Sequence, residues 1–358
     1  MQRHLRSSLA LTSLVVVVAA CGAGPDPTDT RSVRNEPLVP TAPGIPPASP
    51  ALDGGAGGSS ASDAGTTGGP GGSPTGTPTT APPSGIFPPD SHWNTRIDEA
   101  PVDPRSEAYI AAMGADDPLV ASWDAEGDGL RYVEVGKDQP TVPVHFWGFP
   151  RESDPGPYPI PWSAPTDLST DHHVIVVDRG NGWLYELFNA ARNSDGSWSA
   201  SNGAKWNLRT NDRRPDRWTS ADAAGMPIFP GIVRLDEVEA GWIGHALRFA
   251  VNRSQRGYVW PASHAAGQCD LGSDCPPMGL RVRLKKSVDI SRFTRRMQVV
   301  LRALQQYGMF VADNTGTARS WWVAGAPDPR WSDAENLTLG TLRGRDFEVV
   351  EHGGIQPQ

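Results

Sequence analysis

The sequence predicts a mainly β protein: one sandwich of jelly-roll type over residues 86–358, with a few peripheral helices. Three observations predict it. Short apolar runs recur, most of them bounded by Gly, Pro, Asn or Asp. Helical periodicity is confined to a few places, without the regular strand–helix alternation of a βαβ fold. All 13 Trp of the 358 residues lie at or beyond Trp93, so the core-forming side chains are concentrated there.

At the N-terminus, Arg3 and Arg6 precede an apolar stretch from Leu9 to Ala20 interrupted only by Thr12 and Ser13. It is too short to span a bilayer, which takes about 20 apolar residues, and suits the core of a signal peptide. The stretch ends Val18-Ala19-Ala20-Cys21, which resembles a bacterial lipobox. In that reading residues 1–20 are removed and Cys21 carries the lipid; the alternative is an ordinary signal peptide with an incidental cysteine. Several acyl chains, at ~0.8 kcal/mol per buried CH₂, hold a protein to a bilayer where one does not. Gly22 in place of Asp resembles the pattern forwarded to the outer membrane of Gram-negative cells. The expected location is therefore the cell surface, with the membrane as a partner through the lipid on Cys21. Cys21→Ser is expected to release the protein from the membrane fraction with its domain folded. An unmodified mature N-terminus at another residue, read by mass spectrometry, would contradict this.

Residues 22–85 contain no aromatic side chain and hold 14 Gly and 13 Pro. Such a stretch cannot bury enough apolar surface to offset its ordering entropy, so 21–85 is read as a disordered tether. Its root-mean-square reach is about 40–50 Å. The remaining 273 residues suffice for one large domain. That part carries a net charge of −7, against +2 on 1–21 and −3 on 22–85. An acidic domain without a basic tract argues against a nucleic-acid partner. A monomer is expected.

In chain order, the runs at 130–135, 142–147, 172–178, 183–189, 204–208, 247–252, 258–260, 280–285, 309–313, 321–324 and 347–351 read as strands. Asp103-Pro104 reads as the cap and first residue of a helix ending at Gly114. A second helix runs from Ser291 to Tyr307, with apolar residues at three- and four-residue spacings and Gly308 as its stop. Ser332-x-x-Glu335 reads as a capping box for a third. Asp236 with Glu239, and Asp222 three residues after Thr219, read as caps of short turns.

Cys269 and Cys275 bracket a polar loop, and in an oxidising setting they are expected to form a disulfide. The alternative, a metal pair, lacks the second ligand pair that zinc spacing requires.

The runs 172–178 and 183–189 form a hairpin through Arg179-Gly180-Asn181-Gly182. A two-residue turn makes the numbers of paired residues sum to an odd value. Glu186 then shares a face with His173, Ile175 and Val177, as do Leu184 and Phe188. A carboxylate and an imidazole set among aliphatic side chains make a candidate site, because burial raises the Glu pKa unless the His pairs with it. A structural His–Glu hydrogen bond is the competing explanation.

Familiar catalytic signatures are missing: there is no G-x-S-x-G, no H-E-x-x-H, no Walker loop and no G-x-G-x-x-G. No cofactor or metal is expected. Asp124, Glu126 and Asp128 faintly resemble a calcium loop, but Val135 stands where its last acidic ligand belongs, and a solvated acidic turn explains them as well. His264 follows Tyr258-Val259-Trp260-Pro261 on a loop at a strand's end. Asp313-Asn314 closes an apolar strand and is read as a ligand-facing position. Arg281 and Arg283 share a strand face and could clamp an anion, or form ordinary ion pairs. Trp321 and Trp322 point to opposite faces, so one of them can be open. The abundance of Trp points to sugar-ring stacking, with Trp260 and Trp322 as platforms.

Asp171-His172-His173-Val174 with Leu184-Tyr185-Glu186, Ser220-Ala221-Asp222-Ala223-Ala224-Gly225-Met226-Pro227, and Tyr258-Val259-Trp260-Pro261-Ala262-x-His264 form a distinctive set. So do Pro276-Pro277-Met278-Gly279-Leu280-Arg281 and Tyr307-Gly308-Met309 through Asp313-Asn314. Together they resemble a widespread family of secreted bacterial and fungal proteins, over nearly the whole domain. The resemblance implies export and a single domain, and it implies no particular reaction.

The expectation is a surface-tethered, carbohydrate-directed domain that degrades a polysaccharide. Hydrolysis would use Glu186 as acid and Asp313 as second carboxylate. Lyase chemistry would use His264 or His173 as base, with Arg283 or Asn314 offsetting a uronate charge. The rival is a non-catalytic glycan- or wall-binding lipoprotein.

Overall fold

The computed structural model describes residues 85–358. The expected signal peptide, Cys21 and nearly all of the tether lie outside the described residues. No helix among the described residues is long and apolar enough to cross a membrane.

Strands dominate, gathered into mixed sheets. The largest has six strands in the order Val120–Ser122, Trp322–Ala324, Leu247–Val251, Met309–Asn314, Arg281–Leu284, Phe347–Val349. A four-stranded sheet orders Val133–Val135, Val174–Asp178, Trp183–Phe188, Asn202–Asn207. A three-stranded sheet orders Val144–Phe146, Trp198–Ala200, Ala191–Arg192, and Gly257–Tyr258 pairs with Gln356–Pro357. Each of the three larger sheets combines parallel and antiparallel neighbours.

Every run read as β in the sequence overlaps a strand. The strands that pattern reading missed, such as Val120–Ser122 and Trp198–Ala200, have only two or three residues, too few to display a period of two.

The four-stranded sheet is buried on both sides, which is why Val174–Asp178 has no solvent-facing position. One face, with Ile175, Val177, Leu184 and Trp206, joins the apolar core shared with the six-stranded sheet. The other, with Val174, Val176 and Leu187, packs with Trp198 and Ala200 of the three-stranded sheet.

Helix boundaries differ from expectation. The first helix is Ser106–Ala112, starting later than read; Asp103 caps the turn that leads into it, accepting the backbone N–H of Arg105 at 2.7 Å. The second begins at Arg295 and not near Ser291, because the Thr294 side chain takes the N–H of Met297. Ser332 does cap Asp333–Thr338 through the N–H of Glu335. Asp236 lies within the first turn of Leu235–Ala240, which has no side-chain cap. Cys269 and Cys275 form the expected disulfide.

Candidate functional site

The hairpin register places Ile175 opposite Glu186 and Val177 opposite Leu184, so paired numbers sum to an odd value as expected, although the last pair is Asp178 with Trp183 and the loop has four residues and not two. Continuing across the sheet, Glu186 faces Ala204 and Phe188 faces Asn202. His173 stands one residue before its strand, with its ring 5.5 Å from that of Phe188. Three polar side chains, His173, Glu186 and Asn202, therefore stand on one otherwise apolar face.

They do not bond to one another. Each holds backbone of the segment 220–229, which crosses this face. His173 Nε2 meets Ala221 O at 3.1 Å, and Asn202 Nδ2 donates to Ser220 O at 2.6 Å. Glu186 accepts the N–H groups of Ile228 and Phe229 at 2.9 Å and Trp206 Nε1–H at 3.3 Å. This corrects the sequence expectation for Glu186. Fully buried and supplied with three donors, it is a positioning group for the segment and cannot touch a substrate.

The opposite edge of the segment is tied to the six-stranded sheet and to His264. Ala224 N–H donates to Ala312 O at 3.1 Å. Asp222, also fully buried, accepts Arg248 Nη2–H at 2.9 Å and Ala224 N–H at 2.7 Å. Asp222 thus caps the turn Asp222–Gly225, as read, and also pairs with Arg248, which the sequence did not show. His264 Nδ1 donates to Ala223 O at 2.8 Å, which leaves Nε2 as an acceptor; burial lowers its pKa. Gly225 adopts φ +68° where a Cβ would lie 2.3 Å from Ser263 Oγ, so no other residue fits that turn without displacement.

Asp313 reaches this place through a β-bulge. Val311 pairs with Phe249 but Asp313 pairs with Ala250, so Ala312 is the extra residue. The bulge turns Asp313 onto the face of Arg248, whose Nη2 lies 3.8 Å from its carboxylate. Its side chain keeps 24% of its exposure, unlike that of Asp222. Trp322 pairs with Ala250 as well, which puts the half-buried Trp322 in line with Asp313 on one face, on the order of 10 Å away. Asn314 gives its amide to Ala266 O at 3.1 Å.

Two groups unforeseen in the sequence complete the site. Asp167 Oδ2 bonds both the backbone N and Nδ1 of His173, at 2.9 and 2.6 Å. Both ring nitrogens of His173 thus face acceptors, which requires the imidazolium. Its pKa is raised to about 9: the bonds and charges of Asp167 and Asp171 outweigh burial, which opposes the charge. Asp171, half-buried, has its pKa pushed up to about 6, chiefly by burial, with a further push from the charge of Asp313. Burial also raises Asp313, against the pull of Arg248.

Other expected site residues lie elsewhere or are engaged. Arg281 donates to Tyr307 O, Thr95 O and His92 O, and Arg283 to Glu348, Ile97 O and Ala100 O. Both are buried and fasten the segment 92–100, so neither can clamp a ligand. Trp260 is 60% exposed. In the acidic turn, Asp124 Oδ1 accepts the N–H groups of Glu126, Gly127 and Asp128. Among the described residues no group of three or more His, Cys, Asp or Glu is placed to hold a metal ion.

The titrations set a direction for stability. Glu186 and Asp222, each raised to about 7 chiefly by burial, bind protons more tightly folded than unfolded, and so does Asp171. Their contributions are whole below about pH 4 and are lost as pH rises through 6–7. That of His173 is whole below its unfolded value of 6.5 and lost as pH rises through about 9. Asp167, lowered from 3.8, acts oppositely and only in acid. His92 and His264, lowered by burial, also act oppositely, up to about pH 6.5, without outweighing the raised groups over the whole range to pH 9. The melting temperature is therefore expected to fall by several degrees from pH 5 to pH 9, as read by circular dichroism. A flat or rising profile would refute the assignment.

No protein-family model matches the chain, and neither a curated protein nor a solved structure matches it.

Proposed function

We propose that the domain is a glycan hydrolase, exported and held at the cell surface by lipid on Cys21, in which Asp171 and Asp313 are the working carboxylates. The supporting observation is the convergence on one strapped segment: His173 bonds Ala221, His264 bonds Ala223, and Asp313 reaches Asp222 through Arg248. Above these buried ties, Asp171 and Asp313 keep access to solvent and feel each other's charge. Two neighbouring carboxylates do not ionise independently. Arg248 stands beside Asp313 and the His173 imidazolium acts on Asp171, so the pair holds one proton between them, one carboxyl serving as acid and the other as nucleophile or base. His173 and Arg248 position the pair.

A uronate lyase is the weaker reading, because Arg281 and Arg283 spend their donors on backbone and Glu348. Sugar binding without turnover is favoured by the exposure of Trp147 and Trp260, at 62% and 60%. The sandwich reading of the fold belongs with this proposal and rests on the core that the four- and six-stranded sheets share. So does the resemblance to secreted proteins, whose motifs supply the segment 220–227, His264, Asp171 and Asp313.

A polysaccharide panel tests the reading. New reducing ends without the absorbance of unsaturated uronates are expected; unsaturated products would replace hydrolase by lyase. Binding without product would leave the non-catalytic reading.

A further inference from the structure

Gly225, Met226 and Pro227 of the strapped segment also line a small cavity, together with His92, Trp93 and Arg213. Its volume is about 10 Å³, room for one water-sized group. Two ring nitrogens among the lining residues, His92 Nε2 and Trp93 Nε1, are buried without a hydrogen-bond partner. Trp93 is 1% exposed, so its N–H has no access to bulk water. A buried donor left unpaired is a cost that a bound polar group removes.

The rim of the cavity carries an aromatic plate. Pro261 lines the cavity, and the preceding Trp260, 60% exposed, meets the His92 ring edge-on at 5.3 Å between centroids. Arg213 spends two of its three nitrogens within the protein. Its Nε donates to Pro261 O at 2.9 Å, and Nη2 donates to Ala262 O and forms an ion pair with Asp216 at 3.0 Å. Asp212, also at the rim, accepts the Thr210 hydroxyl. The neutral state of His92, whose pKa burial drives down to about 3, fits an uncharged ligand.

An exposed indole beside a socket for one small group that both donates and accepts matches a sugar. The ring presents C–H bonds to the indole face, and a hydroxyl can accept from one nitrogen while donating to another. We propose that Trp260 and this cavity form a sugar subsite. A pyranose of a neutral glycan stacks on Trp260, and one of its hydroxyl groups enters the cavity to meet Trp93 Nε1 and His92 Nε2. This rests on the glycan reading of the domain and not on its catalytic part.

The test measures binding of soluble β-glucan, galactomannan and arabinoxylan to the full chain by calorimetry, with polygalacturonate as the charged control. Trp260→Ala, at an exposed position, is expected to raise Kd about tenfold on the glycan that binds. Trp93→Phe, which deletes only the N–H function and part of the ring, is expected to weaken binding severalfold. Trp162→Ala, equally exposed but distant in sequence and packed on Arg192, is expected to change nothing. Should Trp93→Phe fail to fold, the contrast between the two exposed tryptophans decides. Wild-type binding strength in Trp260→Ala, no binding to any neutral glycan, or binding to polygalacturonate alone would overturn the subsite. Trp260-dependent binding with no turnover overturns the hydrolase and leaves the subsite standing. Turnover that needs Asp313 but binding that ignores Trp260 does the reverse.

Discussion

Replacing Asp313 by Asn is expected to lower turnover by about 10²–10⁴-fold, the usual range for losing one positioned acid–base group. The melting temperature should move little. Asp313 keeps 24% of its side-chain exposure and stands 3.8 Å from Arg248, while Asp222 holds the same guanidinium at 2.9 Å. Removing the outer carboxylate therefore leaves the buried pair whole. Asp171→Asn is expected to cost as much. Activity needs one of the two carboxyls protonated and the other ionised, so the rate should be highest in mild acid and fall as pH rises past about 6, the value to which burial pushes Asp171. Glu186→Gln separates the site from its support. It puts an amide N–H₂ where three N–H donors converge and is expected to destabilise by about 1–3 kcal/mol with activity per folded molecule retained. A fully active Asp313→Asn enzyme would end the catalytic assignment.

The strands were legible in the sequence because most of them alternate or run apolar between Gly, Pro, Asn and Asp, and such punctuation is local. The hairpin register was legible for the same reason: the turn fixes parity, and parity fixed the face of Glu186. Its partners were not legible. Two of the three donors that Glu186 meets are backbone N–H groups some 40 residues downstream, and no spacing rule announces a segment that crosses a sheet face. Asp222 reads as a cap because Thr219 precedes it by three, and only the fold brings Arg248 to it. Asp313 was found by its place at a strand's end. Its direction depends on the bulge at Ala312, which an apolar run conceals. Arg281 and Arg283 share a face as read, but the segment 92–100 that covers that face left no trace in their own strand.

Arg248→Met should be among the most destabilising single changes in the domain, at about 3–5 kcal/mol. Arg248 is 6% exposed and supplies the cation for Asp222, whose side chain has no exposure at all. Met keeps much of the volume, so the loss measures charge more than packing. An ionised carboxylate left alone there cannot be solvated, and the folded protein answers by holding a proton on Asp222 more tightly still. Raising a folded pKa further above the unfolded 3.8 makes the penalty grow as pH rises. The variant should therefore lie closest to the wild type near pH 4 and farthest from it near pH 8. Adding Asp222→Asn to Arg248→Met removes the stranded charge while its side-chain oxygen can still accept Ala224 N–H, so the double variant is expected to be more stable at pH 8 than Arg248→Met alone. Chemical denaturation at the two pH values measures both effects. Equal destabilisation at pH 4 and pH 8, with no recovery in the double variant, would assign the loss to packing and remove the charge pair from its place beneath Asp313.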